Sequence, residues 1–478
     1  MNIRNILAGA LLCSAFAAGA QNPKYIFYYI GDGMGMGPVV AAETYNRTVL
    51  NSDKPLTMMQ FPVVGWCMTY SASSTVTDSA AAGTALSTGT KTKNYMLGMA
   101  PDTTEVYSIA ADLQKMGYGI GVTTSVAPDD ATPGAFYAHV PNRAMYYEIG
   151  SQMAANGYDF MAGAGLRGLR VDNKDTDLLE RFAAENVQIV RGPEGIADIV
   201  NKRVLLLNPE GTKEWNVGYT IDSIPGVLTL PLIAQTCLDH LEKNSPDRFF
   251  MMVEGGNIDH ALHANDGGAA IKEILNFDQA LEIAFNFYRE HPDETLIIVT
   301  ADHDTGGMSM NKPAGAGLSN IDYQRVSKEE FSEYCKSILR SRMAYRWEDM
   351  RDYLSEKLGF FSHIKLSEAQ ENQLKALFDK TFEMRNSADQ KTLYASFNEF
   401  AVEVFRIFND AAGLAFTTTS HSGNPVPVFA VGVGAERFKS FNNNCEIPRA
   451  IMQTVQGKCC GKCHAEENKV TILKKNPQ

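Results

Sequence analysis

The sequence predicts an α/β protein with a doubly wound, mostly parallel central sheet flanked by helices and carrying one mostly helical insertion. Continuous apolar runs, such as Lys24 to Ile30, Tyr118 to Ser125, Arg248 to Val253 and Thr295 to Ala301, have the pattern of strands buried on both faces. Helical patterns separate them, which favours parallel crossovers. Several of these runs end in glycine or acidic residues, at the strand edge where open α/β sheets place their ligands.

Composition and charge limit the reading further. The chain has 478 residues, 45% hydrophobic and 21% charged, with a formal charge of -12. That is globular composition without a basic footprint, so nucleic acid is not expected as a specific partner. Arg4, the apolar run from Ile6 to Ala18 and the small residues before Gln21 make residues 1–20 a secretory signal, with cleavage expected near Ala20. Cys13 within it is poorly placed for lipid attachment, because Leu12 precedes it. No other stretch has transmembrane character, so a periplasmic or secreted protein is expected. For the eight cysteines, disulfides are the first reading in an oxidising compartment, with one thiol left over after removal of Cys13. Cys459, Cys460, Cys463 and His464 crowd the tail of residues 457–478, too tightly for one good tetrahedral metal site.

The first strand runs into Gly31-Asp32-Gly33-Met34-Gly35. A dinucleotide-binding loop is excluded by spacing, since the glycines alternate and the acid lies inside the loop. Thr75 to Ala85 places Asp78 and Ser79 before a run of small, helix-compatible residues. Either residue suits a helix N-cap, and Ser79 in the first turn also suits a nucleophile beside the positive end of the dipole. The strand at Tyr118 leads into Asp130-Ala131-Thr132-Pro133, after which a helix is expected to carry Ala138 to Arg143. Asp259 and His263, four apart on a helical turn, share a face, and a long helix follows from about Gly267 to Arg289. Asp302 and His303 end the strand at Thr295, and His421 lies in a polar loop before the last long strand. The core is therefore assigned to residues 21–308 and 415–456. Residues 309–414 form the insertion, with capping boxes expected at Ser327/Glu330, Ser367/Gln370 and Ser387/Gln390 and no catalytic constellation inside it.

Asp32, Asp259, His263, Asp302, His303 and His421 fall after strands or in neighbouring loops. Any one of them alone is more often a surface charge or a satisfied core histidine. Together they have the residue types of a two-metal site, and such a pair of ions suits phosphoryl transfer, in which charge on the phosphoryl oxygens must be neutralised.

In the order Gly31-Asp32-Gly33-Met34-Gly35, Thr77-Asp78-Ser79-Ala80-Ala81, Asp130-Ala131-Thr132-Pro133, His139-Val140-Pro141-Asn142-Arg143, Val253-Glu254 through Asp259-His260-Ala261-Leu262-His263, Thr300-Ala301-Asp302-His303 and His421-Ser422-Gly423, the chain resembles the alkaline phosphatases from Tyr25 to Gly434. The resemblance implies hydrolysis of phosphate monoesters through a phosphoserine on Ser79, with two Zn2+ and one Mg2+. It implies that Asp32, Asp302 and His303 hold one zinc and that Asp259, His263 and His421 hold the other. Asp32, Thr132 and Glu254 then hold magnesium, while Arg143 clamps two phosphoryl oxygens, and Asp130 and His260 count with it as substrate-binding positions of the outer shell, where changes tune metal affinity. Family members differ at the last two positions, some pairing Asp with Lys and others His with His. This chain mixes the two patterns, which leaves magnesium preference and pH optimum open. A phosphodiesterase of the same superfamily and a non-catalytic phosphate-binding protein are the competing readings. The residues after Ser79 lack the context of a formylglycine sulfatase. Dimerisation, the natural ester and the purpose of the insertion stay open.

Overall fold

The computed structural model describes residues 22–457 apart from 342, 440 and 441. The signal segment and the cysteines and histidine of the tail lie outside the described residues. Among the described residues the main sheet has ten strands: β1 (Tyr25–Gly31), β2 (Val63–Met68), β3 (Gly119–Thr124), β4 (Phe160–Gly163), β5 (Gln188–Arg191), β6 (Val204–Leu207), β7 (Phe249–Glu254), β8 (Thr295–Ala301), β9 (Val426–Gly432) and β10 (Asn442–Asn443). Their spatial order is β10-β2-β9-β8-β1-β7-β3-β4-β6-β5. From β8 to β5 every pairing is parallel, and β9 runs antiparallel between β8 and β2.

The central strands β1, β7 and β8 are buried along almost their whole length, as their unbroken apolar sequences require. Helices cover both faces. The helices used below are α1 (Met36–Thr48), α2 (Ser79–Thr88), α3 (Gly256–His263) and α4 (Gly267–Glu290). α4 lies against β1, and the Tyr29 hydroxyl donates to the Ala280 carbonyl at 2.8 Å. Strand order decides where the chemistry falls: β8, β1, β7 and β3 are neighbours, so the segments leaving their carboxyl ends meet at one edge. Among the described residues no helix is long and apolar enough to cross a membrane.

Between Met310 and Leu414 the chain builds a second hydrophobic core of its own, including Phe331, Trp347, Phe378, Phe400 and Phe408. It consists of α5 (Lys328–Ser341), α6 (Trp347–Leu358), α7 (Glu368–Phe378) and α8 (Glu399–Ala412), with a hairpin of Asp389–Lys391 and Ser396–Asn398 before α8. Its two ends are tied where Ser309–Met310 pairs with Leu414–Ala415. Ser367 and Gln370 form the full capping box. Ser327 caps α5 by accepting the Glu330 N–H at 3.1 Å, but the Glu330 carboxylate turns away to Lys213. The box expected at Ser387/Gln390 does not form, because Gln390 pairs with Phe397 in the hairpin and Asn398 caps α8 instead.

Two further expectations are corrected. Ala138 to Arg143 is not helical: Val140 bridges Leu97 and Pro141 follows it, so Arg143 sits in a loop before the helix Tyr146–Ala155. Cys67, Cys237, Cys335 and Cys445 are free thiols. Cys67 lies on β2, Cys237 packs its sulfur where a Gly121 side chain would stand, and Cys335 belongs to the insertion core, so these three are buried apart from one another.

The glycine-rich turn after β1 brings α1 close to another segment. A β-carbon at Gly37 would stand 1.9 Å from the Met308 carbonyl oxygen. Gly37→Ala is expected to cost about 2 kcal/mol or more through forced backbone displacement. Thermal unfolding would show it as a lowered midpoint, and an unchanged midpoint would contradict this close approach.

Candidate functional site

Ser79 opens α2 and is fully buried. Asp78 is the N-cap: one carboxylate oxygen accepts the Ala81 N–H at 3.0 Å and the other accepts the Tyr95 N–H at 3.1 Å. Both residues therefore keep distinct places, Asp78 closing the helix end and Ser79 standing in the first turn at the positive end of the dipole. Ser79 Oγ lies 3.2 Å from His303 Nε2.

Around it, two groups of potential ligands converge: Asp32 with Asp302 and His303, and Asp259 with His263 and His421. Backbone groups orient several of them. Asp302 Oδ1 accepts N–H bonds from Gly33 at 3.0 Å and His303 at 2.8 Å, which leaves Oδ2 turned inward. Gly33 has φ of 68°, and a side chain there would strike Asp259 and Thr305, so glycine is required for this approach. His263 Nδ1 faces the Thr419 carbonyl at 2.6 Å and His421 Nδ1 faces the Thr77 carbonyl at 2.8 Å. Those contacts set the tautomers and direct both Nε2 lone pairs inward, as metal-ligating histidines require. His421 itself lies on a two-residue strand paired with Asp304–Thr305, more ordered than the loop expected from sequence.

The inward-facing atoms suit cations. His263 Nε2 and His421 Nε2 stand 3.0 Å apart, lone pair towards lone pair. Asp32 Oδ1, Asp259 Oδ2 and Asp302 Oδ2 are buried without a hydrogen-bond partner, yet a histidine Nε2 lies 3.0 to 3.4 Å from each. Ligands about 2 Å from a tetrahedral zinc are about 3.3 Å from one another, so these spacings fit that ion. Thr132 Oγ1 is likewise buried without a partner, and Glu254 accepts from the Thr124 hydroxyl.

Electrostatics agrees with the donor chemistry. Burial, then Asp302 and Asp259, raises Asp32 well above the usual carboxylate range. Burial also pushes Glu254 up to about 8. Asp259 moves the other way, because His263, His421 and His303 outweigh its burial. Burial, then the neighbouring His303, drives His421 down to about 3, so its ring is a neutral donor.

Arg143 stands beside Ser79's helix. Nη2 donates to Asp130 Oδ1 at 2.9 Å, and Nη1 lies 3.6 Å from Asp78. The sequence did not announce the rest of this wall. Arg167, after β4, meets the second oxygen of Asp130 at 3.2 Å. Burial would raise Asp130, but Arg143 and Arg167 hold it down at about 2. Tyr394, from the insertion hairpin, places its hydroxyl 3.4 Å from Arg143 Nη2 and its ring 4.2 Å from that of His260 and 5.3 Å from that of His263. His260 thus packs against Tyr394. The adjacent Asp129-Asp130 pair was a visible hint for Arg167. Nothing in the spacing of the insertion marked Tyr394, although it lies over the site. Arg143, Arg167, Tyr394, His263 and His421 line one cleft of about 920 Å³.

Fold and site together define an enzyme of the class that cleaves phosphate monoesters. The family model for alkaline phosphatase matches residues 23–179 and 210–456, so the chain belongs to the alkaline phosphatase family. It is 28% identical to alkaline phosphatase 4 of Bacillus subtilis over 475 residues, covering 94% of each chain. Its structure is similar to that of the cold-active alkaline phosphatase of a psychrophilic Shewanella species, with TM-score 0.75 and 26% identity, covering 90% of this chain and 99% of that one. It is also similar to a TAB5 alkaline phosphatase variant with magnesium bound, with TM-score 0.63 and 25% identity over 91% and 99% of the two chains.

The contact from the insertion has a measurable consequence. Tyr394→Phe removes one hydrogen bond to the Arg143 guanidinium and leaves the ring. It should weaken inhibition by inorganic phosphate by about two- to tenfold, the range for such a bond, with the thermal midpoint unchanged. An unaltered inhibition constant would show that the hydroxyl does not orient Arg143.

Proposed function

We propose that the chain hydrolyses phosphate monoesters to alcohol and inorganic phosphate through a phosphoserine on Ser79. The observation that carries this reading is the convergence of both ligand groups on a serine at a helix N-terminus, with Arg143 alongside. Asp32, Asp302 and His303 would hold one Zn2+, and Asp259, His263 and His421 the other. Asp32, Thr132 and Glu254 suit Mg2+, whose preference is for oxygen donors, and the magnesium-bound TAB5 relative supports that choice. When bound, the cations neutralise phosphoryl charge and favour the ionised forms of the attacking and leaving oxygens.

The protein's own groups account for the rest. Asp78 holds the helix end and so the position of Ser79 Oγ. Oγ attacks phosphorus, the ester oxygen departs, and the alcohol leaves with the proton that serine gives up. Water then attacks the serine phosphate from the vacated side and restores Ser79. Throughout, Arg143 offers its fork to two phosphoryl oxygens, while Asp130 and Tyr394 keep the guanidinium plane in place. Because Asp130 is held at about 2, its pair with Arg143 persists across the neutral and alkaline range and weakens only in strong acid. Residues 1–20 support export to the periplasm or medium.

Release of p-nitrophenol from the phosphate monoester and from the bis-ester separates the alternatives. The monoester should be preferred. Activity should vanish on chelation and return with zinc plus magnesium, and Ser79→Ala should lower kcat by about 10³-fold or more. Preference for the bis-ester would indicate a phosphodiesterase, and phosphate binding without turnover of either would indicate a binding protein.

A second expectation concerns protons. Glu254, raised to about 8, carries a proton at pH 7 in the metal-free protein, and cation binding must displace it. Magnesium binding at pH 7 should therefore release at least about one proton, the Glu254 share fading as pH rises past 8, measurable by calorimetry in two buffers of different ionisation enthalpy. The same shift means that the metal-free fold loses stability as pH rises from the unfolded value through about 8. Proton-neutral binding at pH 7 would contradict Glu254 as a ligand.

A further inference from the structure

Arg167 has no part in the ligand scheme, yet it is among the most firmly held side chains of the cleft. Its N–H and that of Gly168 donate to the two oxygens of the fully buried Asp129, at 3.0 and 2.8 Å. Its guanidinium lies 4.0 Å from the centre of the Tyr146 ring, and Nη1 donates to Asp130 Oδ2. Two consecutive acids thus hold one arginine, Asp129 through its backbone and Asp130 through its head group. Arg143 uses the other oxygen of Asp130, so two guanidinium groups stand side by side on one wall.

That arrangement leaves capacity unused. A guanidinium has five N–H donors, and the Arg167 side chain remains 30% exposed where it borders the cleft. His263 and His421 line the same cleft, so the leaving group of an ester held at Ser79 has Arg167 within its surroundings. The Tyr146 ring lies under its guanidinium, and Trp215 and Glu214 line the same cleft. With that carboxylate present the cleft is not uniformly positive, so selection would come from fixed donors more than from net charge.

We propose that Arg167 forms a second anion subsite, which selects phosphomonoesters whose leaving group carries a further carboxylate or phosphate close to the scissile ester. This rests on the phosphomonoesterase reading and specifies its substrate class. Arg143 serves the phosphoryl group that is transferred, and Arg167 serves the anion that departs with the alcohol.

The test uses the full metal-loaded protein and three esters with a two-carbon leaving group, namely 2-hydroxyethyl phosphate, 2-phosphoglycolate and ethylene glycol bisphosphate. Initial phosphate release gives kcat/KM for each. The wild type should prefer the two anionic leaving groups by about fivefold or more, as for a fixed charge-assisted contact. Arg167→Gln should lower kcat/KM for the two anionic esters by about fivefold or more beyond whatever it costs the neutral ester through Asp130, and Arg167→Lys should keep part of the preference because charge is retained. Preference for only one of the anionic esters would identify whether carboxylate or phosphate is the anion selected. Equal loss on all three esters would overturn the subsite and make Arg167 a support for Asp130 alone. A flat wild-type profile would overturn it too, independently of whether any variant folds. If the wild type hydrolyses none of the three, the phosphomonoesterase reading itself fails.

Discussion

Mutual repulsion among buried carboxylates is the constraint on which the site depends. Asp32, Glu254, Asp259 and Asp302 are all buried, and adjacent parallel strands bring them to one edge. They cannot all be ionised without compensating charge, which is why Asp32 and Glu254 are driven upward while Asp259, beside histidines, is driven down. Removing any one acid would ease the repulsion, so the cluster is a liability for a metal-free fold. It becomes an asset once cations are bound, when the same charges turn into ligands.

The histidines carry the complementary argument. Backbone carbonyls at Thr77 and Thr419 take up one nitrogen each of His421 and His263, and the opposed Nε2 atoms then face each other and the Asp259 carboxylate, a setting that suits a cation. The geometry is built into the backbone, since the turn after β8 and the loop from 417 to 421 are joined by the pairing of Thr305 with His421. A side-chain change in either segment would therefore be felt at the ligands.

On the substrate side, Asp130 and the insertion share control. One carboxylate spaces two arginines, and a tyrosine from a separately cored segment reaches across to the inner one. The insertion thereby reaches the site although neither group of candidate metal ligands draws on it. Its hairpin is anchored on α5 through the Asn398 N–H to Ser332 at 2.8 Å and Lys336 to the Ser396 carbonyl at 2.6 Å, so its packing is passed on to Tyr394.

Much of this was legible in the residues. Unbroken apolar runs announced the central strands because burial on both faces leaves no room for alternation, and the acids and glycines that follow announced the ligand edge. What misled was local: the helix expected at Ala138 to Arg143 gave way to the Val140 bridge and Pro141, and the box at Ser387 and Gln390 became a hairpin, because cross-strand pairing overrides a capping pattern. By itself the sequence determined the fold class and pointed to the six residues that the structure gathers into two groups, five of them through strand ends or short spacing. Only the tertiary structure decided that Arg167 and Tyr394 join Arg143, the tyrosine from 251 positions away. Those contacts depend on strand order and on how the insertion closes over the edge, which no local pattern encodes.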